Sequence, residues 1–384
     1  MVHPNGEISR AMKRAIKNLF YRFGLDVRRN IPRPRHALST QNRTVILLTE
    51  SVSKRKLPAN IKECDLELFS HELERVIPET KLQELRNIWV SSGGILFKRG
   101  RILPESFAFP LSRANWTRRS LLKFAVRNYL FNRRRTFCQT ALWIVDDWSY
   151  GYFHWLTDAL PRLFVVKERL DDLVLILPSR YKTLEFVQSS LQAFRVPNIE
   201  FINDDEVLVC ERLIMPAHTA PSGNYHEETI KHLRAQLVSF YESHSSSDRV
   251  ERIYISRSRA PKRKIINEEE LVASLREFGF RTIHAEDYSF KKQVQMASTA
   301  SHLISSHGAG LTNMLFMKPG SRVLELRHMR DRVNNCYFAL SSALGLNYYY
   351  QTCPSENADE DSHTANLLVD IPTLVKNLKL MEGL

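Results

Sequence analysis

The sequence predicts an α/β protein with a doubly wound parallel sheet in its C-terminal third. Three observations carry this. Strand and helix patterns alternate from 252 to 306; a glycine turn, His307-Gly308-Ala309-Gly310, sits at the end of one such strand; and an earlier run, 174–215, repeats strand, helix and strand. The 384-residue length allows two domains, and 43% hydrophobic content with 16 Pro and 13 Gly is that of a folded chain.

Taken in order, residues 1–35 carry nine Lys/Arg against Glu7 and Asp26, which is +7 of the net +13. Ile8, Met12, Ile16, Leu19, Phe20 and Phe23 form one apolar stripe, so 7–23 reads as a basic amphipathic helix. Such a helix suits an anionic membrane surface, or it docks on the protein's own core. Gly24 and IPRPR (31–35) end it as a linker, giving an arm over 1–40. Residues 44–48 read as a strand, and 89–90 with 93–98 as a hairpin-like pair. Residues 118–131 mix basic and apolar residues without a clear period, and 140–145 reads as a strand.

A helix begun near Gly151 sets His154 and Asp158 four residues apart on one face. An imidazole beside a carboxylate is a candidate for proton transfer, or a local hydrogen bond within a packed aromatic helix. Strands follow at 174–177, 200–202 and 213–215, with helices at 182–194 and 226–243, and SHSSSD (243–248) reads as a linker. The expected division is therefore 41–245 and 246–384, with the last helix packing back on the first of these domains.

In the second, a strand at 252–256 leads into the basic loop SRSRAPKRK (256–264). Asn267 with Glu270 predicts a capping box for a helix over 268–278, and Gly279 ends it. A strand at 281–284, a helix at 289–300 and strands at 303–306 and 322–326 complete the series. Ligands bind at the carboxyl ends of such strands, where glycines admit an anion to backbone N–H groups. Arg257 and Arg263 open on that same edge, as bidentate donors suited to phosphate.

Other chemistries fit less well. Gly308-Ala309-Gly310-Leu311-Thr312-Asn313 lacks the third glycine of a dinucleotide turn, and Pro319 cuts its helix short, against NAD. Glu325, near the end of the next strand, is placed to reach ribose hydroxyls of another nucleotide. Asp359-Glu360-Asp361 lies in an acidic segment that reads as solvated loop, so no metal is expected. The basic stretches lack the motifs of a nucleic-acid module. No apolar run approaches the roughly 20 residues of a membrane span, and the N-terminus lacks signal-peptide character. Five cysteines without C-x-x-C predict a reduced, cytoplasmic protein.

GYFHWLTDALPRL (151–163), YISRSRAPKRKIINEEEL (254–271) and SSHGAGLTNMLFMKPGSRVLEL (305–326) resemble glycosyltransferase family 61, in the family's order. The resemblance implies a GT-B-like architecture, two Rossmann-like domains facing across a cleft. It implies inverting, metal-independent transfer from a nucleotide sugar, without a cofactor. By position, Asp158 would be the base with His154 beside it. Arg257 and Arg263 would hold the diphosphate, while Ser306, His307, Gly308, Ala309, Gly310, Thr312 and Asn313 form the turn around phosphate and nucleoside. Lacking a signal anchor, the chain looks similar to the bacterial members of capsule and exopolysaccharide assembly. These would work on a glycan or lipid-linked acceptor at the cytoplasmic membrane face. An inactive nucleotide-sugar binder and a basic nucleic-acid-binding protein are the alternatives.

Overall fold

The computed structural model describes residues 44–109, 115–242, 251–356 and 361–383. The N-terminal arm, the 243–248 linker, Asp359 and Glu360 lie outside them. The first half is built on strands β1 (Thr44–Leu48), β2 (Ser51–Lys54), β3 (Glu74–Ile77), β4 (Thr80–Ser91), β5 (Leu96–Lys98), β6 (Arg101–Ile102), β7 (Arg133–Leu142), β8 (Val174–Pro178), β9 (Ile199–Ile202) and β10 (Glu206–Pro216). β2 and β3 pair separately, and the rest form one sheet in the order β6-β5-β4-β10-β7-β8-β9, with β1 also on β4. From β10 to β9 neighbouring strands run parallel, and β4 turns antiparallel on β10. β8, VLILP, is buried along its whole length, as a parallel strand covered on both faces must be.

β7 starts seven residues before the strand expected at 140. Its opening Arg133-Arg134-Arg135 hides the apolar alternation that marks a strand. The structure neutralises it instead: Arg133 bonds Glu206 at 2.6 Å and Arg135 bonds Glu200 at 3.0 Å. Glu206 opens the neighbouring strand and its side chain is 2% exposed.

The second half holds β11 (Glu251–Ile255), β12 (Arg281–Ile283), β13 (Ala300–Ser306), β14 (Arg322–His328) and β15 (Asn347–Cys353), all parallel, in the order β12-β11-β13-β14-β15. The strand order reverses between β11 and β13, which puts a ligand crevice at their carboxyl ends. Ile255 pairs with Ser305 and Ser306 with Leu326, so the loops after Ile255 and Ser306 leave the sheet side by side. The helix Glu268–Glu277 forms as expected, but Asn267 makes no capping bond. Its side chain is drawn to the C-terminal segment, donating to Val369 O at 2.8 Å and accepting from Val369 N at 3.0 Å.

One hydrophobic core runs through both halves, joining Trp143, Trp155 and Leu160 to Phe290, Leu311 and Phe316. Polar bonds tie the same seam: Tyr152 Oη donates to Asn313 Oδ1 at 2.8 Å, and Arg234 to Met317 O at 3.2 Å. Residues 59–69 lie on the second sheet, where Phe69 packs against Tyr350 and Ala59 N donates to Tyr348 O. The last helix, Ile371–Glu382, reaches the first half only at its side, where Asn377 Oδ1 accepts from Asn60 Nδ2 at 3.0 Å, and packs mainly on the second half. Its Leu374, Leu378 and Met381 complete a core with Leu271, Leu275 and Leu324.

Candidate active site

At the β11–β13 crevice the expected turn and basic loop come together. Gly308 is buried against Arg257: a Cβ built on it would lie 2.8 Å from the guanidinium carbon. Gly310 is equally confined, since a Cβ there would stand 2.9 Å from Ile255 Cγ2. Small residues are thus what let this backbone lie on a cation and on β11. Ala309–Phe316 then forms a 3-10 helix, whose tighter winding suits a segment stopped at Pro319. Arg263 takes a left-handed backbone, φ 57°, a conformation costing a non-glycine residue about 1 kcal/mol. Ser306 Oγ donates to Arg263 O at 3.0 Å and fixes that bend.

Among the described residues neither Arg257 nor Arg263 lies within ion-pair distance of a carboxylate, and the Nε of each is buried without a partner. Burial, and then the neighbouring Arg263, lower the pKa of Arg257. Two like charges left unneutralised, with buried donors unused, make a place prepared for an anion.

His307 lines this turn and is held from both sides. Its Nδ1 bonds the Glu325 carboxylate, and its Nε2 meets Asn334 Nδ2 at 3.0 Å. Glu325, expected to reach ribose hydroxyls, cannot do so. It is fully buried, with one oxygen on His307 and the other on Tyr348, so it positions the imidazole instead. Burial pushes its pKa up, yet His307 and Arg327 outweigh this and hold it below the ordinary value. Thr312 is fully buried, and Asn313 is taken by Tyr152 and by Gln293 at 3.1 Å. Neither side chain is open to solvent, whereas Ala309 is exposed and Gly310 half-buried.

The second constellation stands on a helix capped at Gly151. It runs as Tyr152–His154, a widened π turn Trp155–Ala159, and Leu160–Phe164. Pro161 has no N–H to return to Thr157, and the helix widens just before it. His154 Nδ1 meets Asp158 Oδ2 at 2.7 Å. Asp158, expected to be the base, is 4% exposed and also accepts from Ser222 Oγ at 2.8 Å. His154 is the more open member, with 19% of its side chain exposed. Bonding at Nδ1 leaves its Nε2 as the group able to exchange a proton. Of the two, the carboxylate is the enclosed member and the imidazole the one with a solvent-exposed part.

Nothing local in the sequence marks Ser222 as a partner of Asp158. The Pro221-Ser222-Gly223 turn is legible, with Gly223 at φ 83°, but its partner lies 64 residues away. A second pair lies nearby: His218 Nε2 bonds Asp146 Oδ2 at 2.9 Å. Burial opposes ionisation of Asp146, but His218, Arg162 and the Trp148 N–H together bring it to about 2. Fully buried Arg162 donates to Ile144 O and Pro216 O, joining the segment just after β7 to the end of β10.

Ring contacts connect the two constellations. His154 meets Phe153 at 4.9 Å, Phe153 meets Tyr337 at 5.5 Å, and Tyr337 meets His307 at 5.0 Å. The His154 imidazole therefore lies within a few side chains of a cationic turn. That combination can deprotonate a hydroxyl and stabilise an anionic leaving group.

Residues 152–324 match the family model described as Glycosyltransferase 61, a little under half of the chain. The chain is 38% identical over 110 residues to "Protein O-linked-mannose beta-1,4-N-acetylglucosaminyltransferase 2" of Takifugu rubripes, covering 27% of this chain and 18% of that protein. It is 31% identical over 104 residues to "EGF domain-specific O-linked N-acetylglucosamine transferase" of Mus musculus, covering 26% and 19%. The Drosophila melanogaster protein of the same name is 34% identical over 98 residues, covering 25% and 18%. The matches thus span less than a fifth of each of these relatives.

Proposed function

We propose that the protein is an inverting glycosyltransferase that moves a sugar from a nucleotide-sugar donor to a hydroxyl acceptor without a metal. The observation that carries this is the unneutralised Arg257–Arg263 pair on the Gly308 turn, joined through packed rings to the His154–Asp158 pair. The acceptor oxygen attacks the anomeric carbon as its proton passes to His154 Nε2. The bond from that carbon to the diphosphate breaks, and the diphosphate leaves onto the two guanidinium groups and the turn's N–H groups. Asp158 stabilises the imidazolium, and Ser222 holds Asp158 in place. Transition-state charge is met on both sides by groups already in position. The GT-B-like arrangement, with the acceptor on the first half and the donor on the second, belongs to this reading.

Two acceptor types are in play. The sequence resemblance points to a glycan or lipid-linked glycan of surface polysaccharide assembly. The relatives' names favour an O-linked acceptor on protein, with N-acetylglucosamine as the sugar. Five free cysteines support a reducing compartment, as a cytoplasmic enzyme would require.

The test is a thermal-shift panel of UDP, GDP, dTDP and CMP, followed by donor hydrolysis assays on the corresponding sugars. A nucleotide at 100 times its Kd stabilises by about 2.7 kcal/mol, so Tm rises by several degrees. Arg257→Ala or Arg263→Ala shrinks the shift. No shift with any of the four would overturn the reading. A shift without transfer, unchanged in His154→Ala, would leave only a nucleotide-sugar binder. Strongly salt-dependent retention on RNA that nucleotides cannot displace would favour the nucleic-acid alternative.

A further inference from the structure

Beside His154 stand two aromatic side chains that the core does not use. Trp148 is 44% exposed and Phe109 38%, and their ring centroids lie 4.8 Å apart at 60°. The Trp148 indole also meets the His154 imidazole edge to face, at 4.9 Å and 75°. Leaving this much apolar surface in water forfeits about 25 cal/mol for each Å² that could have been buried.

The pair is also held firmly. Asp146 Oδ1 accepts from Trp148 N at 2.9 Å, and from Ser149 N and Oγ at 3.0 Å each. Asp147 N donates to Ser106 O at 3.0 Å, and Asp147 Oδ1 accepts from Ala108 N at 2.9 Å. Those two bonds fasten the loop of Trp148 to the loop of Phe109. A buried carboxylate and cross-loop bonds thus present two rings outward, next to the imidazole.

We propose that Trp148 and Phe109 form the acceptor subsite and that the acceptor is a saccharide. The C–H face of a pyranose ring lies on the indole, bringing one of its hydroxyls to His154 Nε2. This rests on the transferase reading above. An aromatic face carries the negative end of its quadrupole and attracts the weakly positive C–H groups of a sugar ring. A few polar groups beside apolar walls then set orientation, and the half-exposed Asp147 supplies one for a ring hydroxyl.

The order of contacts supports the assignment. From Phe109 the rings run through Trp148, His154, Phe153 and Tyr337 to His307. His154 is between the aromatic pair and the cationic turn in that series, where a base must stand between acceptor and donor. A serine or threonine of a peptide has no flat C–H face to stack, so the pair favours a sugar hydroxyl over a bare side-chain hydroxyl.

Saturation-transfer NMR on the full chain with UDP tests this. The probes are the methyl glycosides of glucose, galactose, mannose and N-acetylglucosamine, and a serine-containing peptide. At least one glycoside should receive transfer at its ring protons. Trp148→Ala should reduce that signal at least fivefold, Trp148→Phe should keep part of it, and Phe109→Ala should weaken it. The thermal shift by nucleoside diphosphate should persist in Trp148→Ala, which shows that this variant is folded and its donor side intact. No transfer to any glycoside, transfer to the peptide alone, or an undiminished signal in Trp148→Ala overturns the subsite. Loss of the nucleotide shift in the wild type would instead overturn the transferase reading.

Discussion

His154 and Asp158 show how far spacing alone reaches. Four residues on a helix bring the two side chains together, and the structure keeps them at 2.7 Å. Which of them is the more open depends on burial, and Asp158 is enclosed with a hydrogen bond from Ser222 of a distant turn. Asp158→Asn preserves shape but removes the charge that orients and stabilises the imidazole. Transfer should fall by about 10²- to 10⁴-fold, as for loss of a general base. His154→Ala should cost about as much, and the double variant little more, because groups that act as a unit are not additive. Initial rates at saturating donor, with the nucleotide thermal shift unchanged, check this. Additive losses would separate the two roles. Glu325 carries the same lesson: its strand-end position suggested a ligand contact, and only the fold reveals that both oxygens are already taken.

Among the elements, the turn after β13 reads from sequence as a place where glycines admit an anion to the backbone, and in the structure that backbone lies against Arg257 and Ile255. The quantity missing from the sequence was what it approaches. Gly310 lies on Ile255 of β11, 55 residues earlier in the chain. Gly310→Ala must move the turn or the isoleucine by several tenths of an ångström. Overpacking of this kind costs about 1–3 kcal/mol. Urea unfolding should report that loss, and the nucleotide thermal shift should shrink with it, since the start of the helix moves. A variant of unchanged stability and affinity would show that the turn is slack. β7 and Asn267 depart from the expectation for a related reason: the basic strand start pairs with Glu206 of the neighbouring strand, and Asn267, besides bonding Glu270, is held by Val369.

Across the whole molecule, one continuous core joins two sheets that the chain's punctuation suggested were separate. Charge buried in such a fold titrates with folding. His302 is 3% exposed, and burial lowers its pKa from the ordinary 6.5 to about 4, with Arg252 and Arg322 adding to the effect against Glu382. The unfolded chain takes up this proton near pH 6.5 and the folded chain only near 4. This contribution is therefore fully present above 6.5 and is lost as pH falls toward 4, by about 3 kcal/mol. Urea midpoints measured from pH 7.5 to 4 should drop accordingly, and His302→Gln should flatten the slope. An equally steep slope in the variant would assign the loss to other groups.

The α/β class, the parallel C-terminal series, the glycine turn and the His154–Asp158 spacing were determined by the sequence alone. Each follows from local periodicity, from turn chemistry or from four-residue spacing along one helix. The tertiary structure decided that the turn lies on Arg257, that Asp158 is sealed by Ser222, and that Trp148 stands outward beside His154. These depend on contacts between residues far apart in the chain and on which surfaces the core leaves uncovered. Both are properties of packing, and no window of sequence contains them.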